Sequence, residues 1–400
     1  MVYHFLQGQK NLLEKINKTE ESLEFVQEKI ASFFDMKNLC FLFGSGTSAN
    51  SIPLMKGLYE GLQLEKARYT DLERGFLDGI EDNGNIENVM GVLYSGREYL
   101  KDRKNPTHAE KRSLKLINSL INKIERFLKS KIDVLNTDDW NVDTQRTLEN
   151  YKKFYSKVAL RNKELFRVNV FTTNNDMFNE VALDSLNIHY LNGFSGGVMR
   201  RFNPASFNYT LSKRMDTSID KYEPVENLVY LYKIHGSVNW IEDVSATNES
   251  FFSIKELPLR NDSKSSNVLI YPTPLKQNKS LGAPYVDLFR EFQHKLLEPN
   301  SVLFVIGYSF SDEHVNDIIY RALATNSTMN LVIINQIEAD KVITKIDDPR
   351  IYRLWATDIN PGEEPIHHFG EIVDKLFPVK NAFDTEPILK QFVKELHENR

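Results

Sequence analysis

What most constrains this chain is a set of short, near-continuous apolar runs: Leu39–Phe43, Arg167–Thr172, Leu228–Ile234, Val268–Tyr271, Val302–Ile306 and Leu331–Ile334, with Tyr352–Ala356 as a further candidate. They are strand-length and do not alternate cleanly between apolar and polar, so a sheet built from them must be covered on both faces. Helical spacing fills several of the intervals between them. The pattern predicts an α/β protein, a Rossmann-like parallel sheet with helices on both faces.

The interval between the first two runs is too long for one crossover and predicts a large helical insertion over about 57–165. Its clearest helix is His108–Ile132, where Leu114, Leu116, Ile117, Leu120, Ile121, Ile124 and Leu128 form a broad apolar face. Residues 135–143 read as a polar turn within it. Over 4–36, Leu12, Leu13 and Ile16, then Leu23, Val26, Ile30 and Phe34, are spaced as two helices would space them. Residues 191–224 and 243–266 read as loops at the sheet edge, and from Pro361 the chain reads as two helices. The expected division is therefore N-terminal assembly helices over 1–36, a sheet domain with its insertion over 37–340, and a C-terminal strand and helices over 341–400, packing on the core or a partner.

Composition narrows the function classes. Fifty basic against fifty-five acidic residues leave a net charge of −5, which gives no overall attraction to nucleic acid. The one cysteine, Cys40, rules out an internal disulfide and a Cys-rich zinc module; inside an apolar run it reads as a small core residue rather than a nucleophile. No stretch approaches the ~20 apolar residues of a membrane helix, and the start MVYHFLQGQKNLLEK lacks a signal-peptide core. The expectation is a cytoplasmic protein with no zinc.

Four of the runs end in polar or glycine-rich sequence, and ligands of open α/β sheets sit at the carboxyl ends of strands. After Leu39–Phe43 come Gly44, Ser45, Gly46, Thr47 and Ser48, where backbone N–H groups and a helix N-terminus would suit a pyrophosphate. Gly44, Gly46 and Ala49 fit the looser dinucleotide fingerprint; a tight strand-to-helix turn is the alternative. The segment that should hold a second strand ending in an acid, GLYEGLQLEKARYTDLERG, is helical in pattern, which disfavours a simple dehydrogenase, and no Walker lysine follows. The second run leads into Thr172-Thr173-Asn174-Asn175-Asp176, read either as site or as helix cap. The third leads into His235-Gly236-Ser237, with a side chain that titrates near neutrality and a glycine that permits close backbone approach. The fourth leads into Gly307-Tyr308-Ser309, with Ser311 as the expected N-cap and Asp312 and Glu313 as either first-turn acids or site residues. Asn335, ending the run Leu331–Ile334, is a candidate adenosine contact.

The order and wording of these strand ends resemble the sirtuin-like NAD-consuming enzymes, whose Gly-x-Gly-x-Ser loop, Thr-Gln-Asn-Ile-Asp segment, His-Gly and Gly-x-Ser turn correspond to the four stretches just quoted. The resemblance covers roughly residues 37–340. Thr173 and Asn175 replace the usual Gln and Ile, and Ile52-Pro53 is followed by Leu54-Met55-Lys56 instead of by Asp-Phe-Arg. The two Cys-x-x-Cys pairs of the deacylases are missing. The remainder, with GYSFSDEHVND and the long insertion, is similar to sirtuin-like proteins of bacterial antiphage systems that hydrolyse NAD.

The resemblance implies NAD as substrate, with Gly44, Ser45, Gly46, Thr47 and Ser48 at the pyrophosphate and Thr172 and Gly236 lining the site. Asn174 would orient water or ribose, His235 would act as base, and Asp176 would meet the nicotinamide end. Gly307, Ser309, Asp312 and Asn335 would lie near the adenosine. It also implies a homo-oligomer working beside a partner such as a HerA-type hexameric ATPase. A non-catalytic NAD or ADP-ribose sensor is the alternative reading.

Overall fold

The computed structural model describes residues 1–16, 18–81, 84–137, 139–159, 161, 165–215, 221–225, 227–242, 254–259, 267–269 and 284–378. The chain opens with β1 (Val2–Gln7), β2 (Lys10–Asn11), α1 (Thr19–Phe34) and β3 (Asn38–Phe43). Five helices follow: α2 (Met55–Glu65), α3 (Asp71–Asp78), α4 (Ile86–Lys101), α5 (His108–Ile132) and α6 (Val142–Val158). Next come β4 (Val168–Thr172), α7 (Phe178–Ser185), β5 (His189–Leu191), β6 (Phe194–Ser195), β7 (Arg200–Phe202), β8 (Ser212–Arg214), β9 (Tyr222–Pro224), β10 (Leu228–Lys233), β11 (Gly236–Glu242), β12 (Ile254–Glu256) and β13 (Asn267–Leu269). The last stretch holds α8 (Tyr285–Leu297), β14 (Ser301–Ile306), α9 (Glu313–Thr325), β15 (Asn330–Ile334), α10 (Val342–Lys345), β16 (Ile351–Thr357) and α11 (Phe369–Glu371), which runs into a π-helical turn at Ile372–Leu376.

The main sheet has the order β2-β1-β16-β15-β14-β3-β4-β10-β5. From β16 to β5 all neighbours pair in parallel; β1 and β2 close one edge antiparallel. Alternate side chains of β3 feed two cores, as the two-residue period of a strand requires. Leu39, Phe41 and Phe43 meet α1, α6, α7 and the π-turn on one face, while Cys40 and Leu42 meet α8 and α9 on the other. Sandwiching between helix layers explains why the runs are continuously apolar. Burial pushes the Cys40 thiol up to about 12, so it stays protonated and behaves as a core residue.

Strand order reverses at β3. The chain proceeds from β3 to β4 on one flank and later lays β14 on the other, making the carboxyl ends of β3 and β14 the crevice where such sheets bind ligands.

Several expectations change. Residues 2–11 are strands and not a helix: VYHFLQ pairs with β16 from Val2↔Thr357 to Gln7↔Tyr352. The segment 1–36 is thus part of the sheet domain, with Val26, Ile30, Phe33 and Phe34 of α1 in its core. The sheet also passes the expected boundary at 340 to include β16. Of the expected strand Val268–Tyr271, the described part, β13, belongs to a separate sheet of order β13-β11-β12-β7-β6. The expected loops over 191–224 contain the short strands β6 to β9, and most of 243–266 lies outside the described residues. Past Pro361 the described residues hold only α11 and the π-turn; the rest of the expected second helix, 379–400, lies outside them.

The insertion divides in two. Residues from α2 to α5 enclose their own core, including Leu62, Met90, Leu93, Leu120 and Ile124. The α6 helix instead buries Tyr151, Phe154 and Tyr155 against the sheet. A capping box between Thr107 and Glu110 starts α5 at the predicted residue.

Candidate functional site

The loops after β3 and β14 pack backbone against backbone. Gly44 N–H donates to Ile306 O at 3.0 Å and Gly46 N–H to Gly307 O at 2.9 Å. A Cβ on Gly44 would lie 2.5 Å from Gly307 O, and one on Gly46 would lie 2.6 Å from the Gly307 Cα. Gly307 has φ +65° and would bring a Cβ within 2.6 Å of Thr47 N. Loop-to-loop contact thus accounts for all three glycines. The N–H groups of Thr47 and Ser48 are also used, by Gly44 O and Ser45 O, in a three-residue 3₁₀ turn. The expected helix N-terminus is not on this loop, since α2 begins only at Met55. On this loop Ser45 is exposed and has no N–H partner among the described residues, while Gly46 is partly exposed with its N–H on Gly307 O.

Behind the loop is a buried polar network. Thr47 Oγ1 donates to Gly44 O at 2.9 Å. It lies 2.7 Å from the hydroxyl of Tyr151, and Asn174 Nδ2 donates to it at 3.0 Å. Ser48 Oγ is 3.1 Å from Tyr151, 3.3 Å from Asn174 Nδ2, and donates to Asp176 Oδ2 at 2.9 Å. Thr172 Oγ1 accepts from Asn174 N–H at 3.0 Å and sets the backbone of that turn. Asp176 Oδ1 accepts from Phe178 N–H at 3.1 Å, so both carboxylate oxygens face the protein. Burial pushes this carboxyl up, against the opposing pull of Lys233.

The turn after β10 is tied to the same loop. Asn175 Nδ2 donates to His235 O at 2.7 Å, and Val238 N–H to Asn175 O at 3.0 Å. Gly236, at φ +84°, lets the chain reverse into β11. Beneath the turn Lys233, fully buried, reaches Glu180 Oε1 at 2.9 Å and Ser237 Oγ at 2.6 Å, and also donates to Asp176 O. Across the crevice His235 Nε2 stands 3.0 Å from Asp312 Oδ2. Asp312, and not Ser311, is the N-cap of α9: its Oδ1 accepts from His314 N–H at 2.9 Å and Val315 N–H at 3.2 Å.

The four expected strand ends therefore come together, each joined to a neighbour by the bonds just described. Asn335 is joined to them through Tyr308 O, which its Nδ2 meets at 3.0 Å, while Ser309 stays exposed with Ser311 Oγ 3.0 Å away. Sequence reasoning missed Tyr151 and Lys233. The signal for Tyr151 was its place in an apolar stripe with Phe154 and Tyr155; for Lys233 it was a lone cation inside an apolar strand. Among the described residues no group of His, Cys, Asp or Glu could hold a metal ion, and no helix is long and apolar enough to cross a membrane.

A parallel sheet with this switch-point crevice is a Rossmann-like architecture. Residues 168–357 match the family model of the SIR2-like domain. The match begins at β4, so β3, its glycine loop and Tyr151 precede it. Among solved structures the chain is similar to a Sir2 homologue in complex with NAD, at 13% identity over 88% of this chain and 91% of that one, with a TM-score of 0.43. It is also similar to a mutant Sir2 homologue in complex with ADP-ribose, at 12% identity over 88% and 94%, with a TM-score of 0.40. No curated protein matches the chain in sequence.

Proposed function

We propose that the chain is an NAD glycohydrolase that cleaves NAD to nicotinamide and ADP-ribose. The observation that carries this is the hydrogen bond from Asn175 to His235 O, which joins the Asn174 turn to the His235 turn on the β4 side of the switch point. In the reaction the C1′–N1 glycosidic bond breaks and its electron pair passes to the pyridinium nitrogen, so neutral nicotinamide leaves without a general acid. Positive character develops on the ribose, as in other glycoside hydrolyses. A water oxygen bonds to C1′ and its proton passes to His235. The Asp312 carboxylate, 3.0 Å from the ring, favours the imidazolium that forms when His235 takes this proton. Asn174 Oδ1 orients the water or a ribose hydroxyl, Ser45 meets the pyrophosphate, and Ser309 and Asn335 lie toward the adenosine. The carboxylate of Asp312 beside the His235 imidazole supports catalysis over a sensor role, because it stabilises a proton on the ring, which binding alone does not require.

The role in the cell that fits is NAD depletion as an antiphage effector, held in check by homo-oligomer assembly or by a HerA-type ATPase. The resemblance of GYSFSDEHVND and of the long insertion to such proteins supports this reading. The test is incubation of the purified full chain with NAD, with and without the co-expressed ATPase, followed by quantification of nicotinamide and ADP-ribose. Stoichiometric release of both without an acyl-lysine substrate is expected; tight NAD binding with no release in either preparation would overturn the reading.

A further inference from the structure

The proton count around Thr47 gives Tyr151 a job. Thr47 Oγ1 has one proton, and its 2.9 Å contact with Gly44 O, which can only accept, uses it. Tyr151, 2.7 Å away, must therefore donate to Thr47, and so must the group of Asn174 that lies at 3.0 Å. With both donors in place the acceptor capacity of Thr47 Oγ1 is filled. Turning the Asn174 amide over would set its Oδ1 against an oxygen with no proton left to give. The Nδ2 of Asn174 is thus pinned inward, and its Oδ1 has no partner among the described residues.

We infer that Tyr151 is a positioning residue: its hydroxyl, donating to Thr47 Oγ1 and so keeping the Thr47 proton on Gly44 O, holds the Asn174 amide so that Oδ1 remains the acceptor available to water or a ribose hydroxyl. The inference rests on the glycohydrolase reading for its effect on rate, but not for its effect on Asn174. The phenol suits the task. It is fully buried, its ring stacked on Phe178 with centroids 5.6 Å apart and edge-on to Phe43 at 5.9 Å. Burial and then the neighbouring Asp176 push its pKa far up, so it stays a donor throughout the physiological range. Because α6 joins the insertion to the sheet, the helical addition also reaches the site through this hydroxyl.

Tyr151→Phe removes the hydroxyl and keeps the ring. Tyr155→Phe is the control: it lies one turn further along α6, is equally buried, and donates to Asn179 Oδ1 at 2.7 Å, off the network. For Tyr151→Phe, kcat for nicotinamide release should fall about tenfold while KM and ADP-ribose affinity stay within about twofold. Tyr155→Phe should leave kcat unchanged. A crystal structure of Tyr151→Phe should show the Asn174 side chain turned or split between rotamers. Wild-type kcat in Tyr151→Phe, or a loss that follows melting temperature equally in both variants, would overturn the inference. If the wild type binds NAD but releases no nicotinamide, the glycohydrolase reading fails, and the crystal structure alone decides this one: an unmoved Asn174 refutes it.

Discussion

His235 and Asp312 face each other across the strand crossover at 3.0 Å, one at the end of β10 and the other at the start of α9. A single carboxylate thereby does two things: one oxygen caps a helix and the other places negative charge beside an imidazole. The two can be separated. Asp312→Asn keeps an N-cap acceptor but loses the charge, so the melting temperature should stay near that of the parent while kcat for NAD cleavage drops roughly 10²-fold. Asp312→Ala should lose the rate and also about 1 kcal/mol of stability. Equal rates in Asp312→Asn and the parent, measured with NAD in excess, would remove the carboxylate from the mechanism.

Asn174→Ala and His235→Ala should each lower nicotinamide release by ~10²–10⁴-fold. Neither side chain is an apolar core element, so circular dichroism should match the parent. Turnover near the parental rate in either variant would argue against its role.

The buried pair Lys233–Glu180, 0% and 2% exposed, makes a stability prediction. Lys233→Met leaves Glu180 an uncompensated buried charge and should cost about 3–5 kcal/mol in denaturant unfolding. The double variant Lys233→Met/Glu180→Met should be more stable than Lys233→Met alone. Strict additivity of the two changes would show that the pair is not coupled.

In the insertion, burial alone would raise the Glu73 carboxyl, but hydrogen bonds from Lys123, Thr70 and Ser119 hold it down at about 2 against an ordinary 4.5. A depressed folded-state pKa contributes stability that is complete above the unfolded value and is lost as pH falls. The melting temperature should therefore decline between about pH 4.5 and 2 as this contribution disappears, and Glu73→Gln should lack that part of the decline. An identical pH profile for the two proteins would show that the contacts from Lys123 at 2.7 Å and Ser119 at 2.9 Å contribute nothing.

Much of this was legible beforehand where one local signal decides the outcome. The sandwiched strands β3, β4, β10 and β14 declare themselves as apolar runs, and α5 by its stripe and its Thr107 cap. Their polar ends then follow, since a parallel sheet puts them on one side. What stayed hidden depends on partners distant in sequence. VYHFLQ mixes polar and apolar residues as a helix start could, and pairing along its whole length with the distant β16 makes it a strand. Tyr151 looks like any buried aromatic until Thr47, about a hundred residues earlier, supplies the oxygen its proton needs. The glycines of the first loop were read as room for a phosphate, yet the backbone of Gly307 fills that room.

The antiparallel edge strand has a consequence for how the molecule is made. Val2 to Gln7 pair along their whole length with Thr357 to Tyr352, and only Leu6 and Gln7 have a local partner, in Asn11 and Lys10, so during translation most of β1 must wait until β16 has been synthesised. Contacts of such large sequence separation close late and slowly. In the meantime α1 and β3 can collapse locally while Val2 to Phe5 lack a strand partner, the kind of segment that chaperones recognise and that neighbouring nascent chains can capture. Yield of this protein should thus be governed by how long that strand is kept apart from other chains, and a bulky fusion placed ahead of Val2 would act on folding before it acted on catalysis.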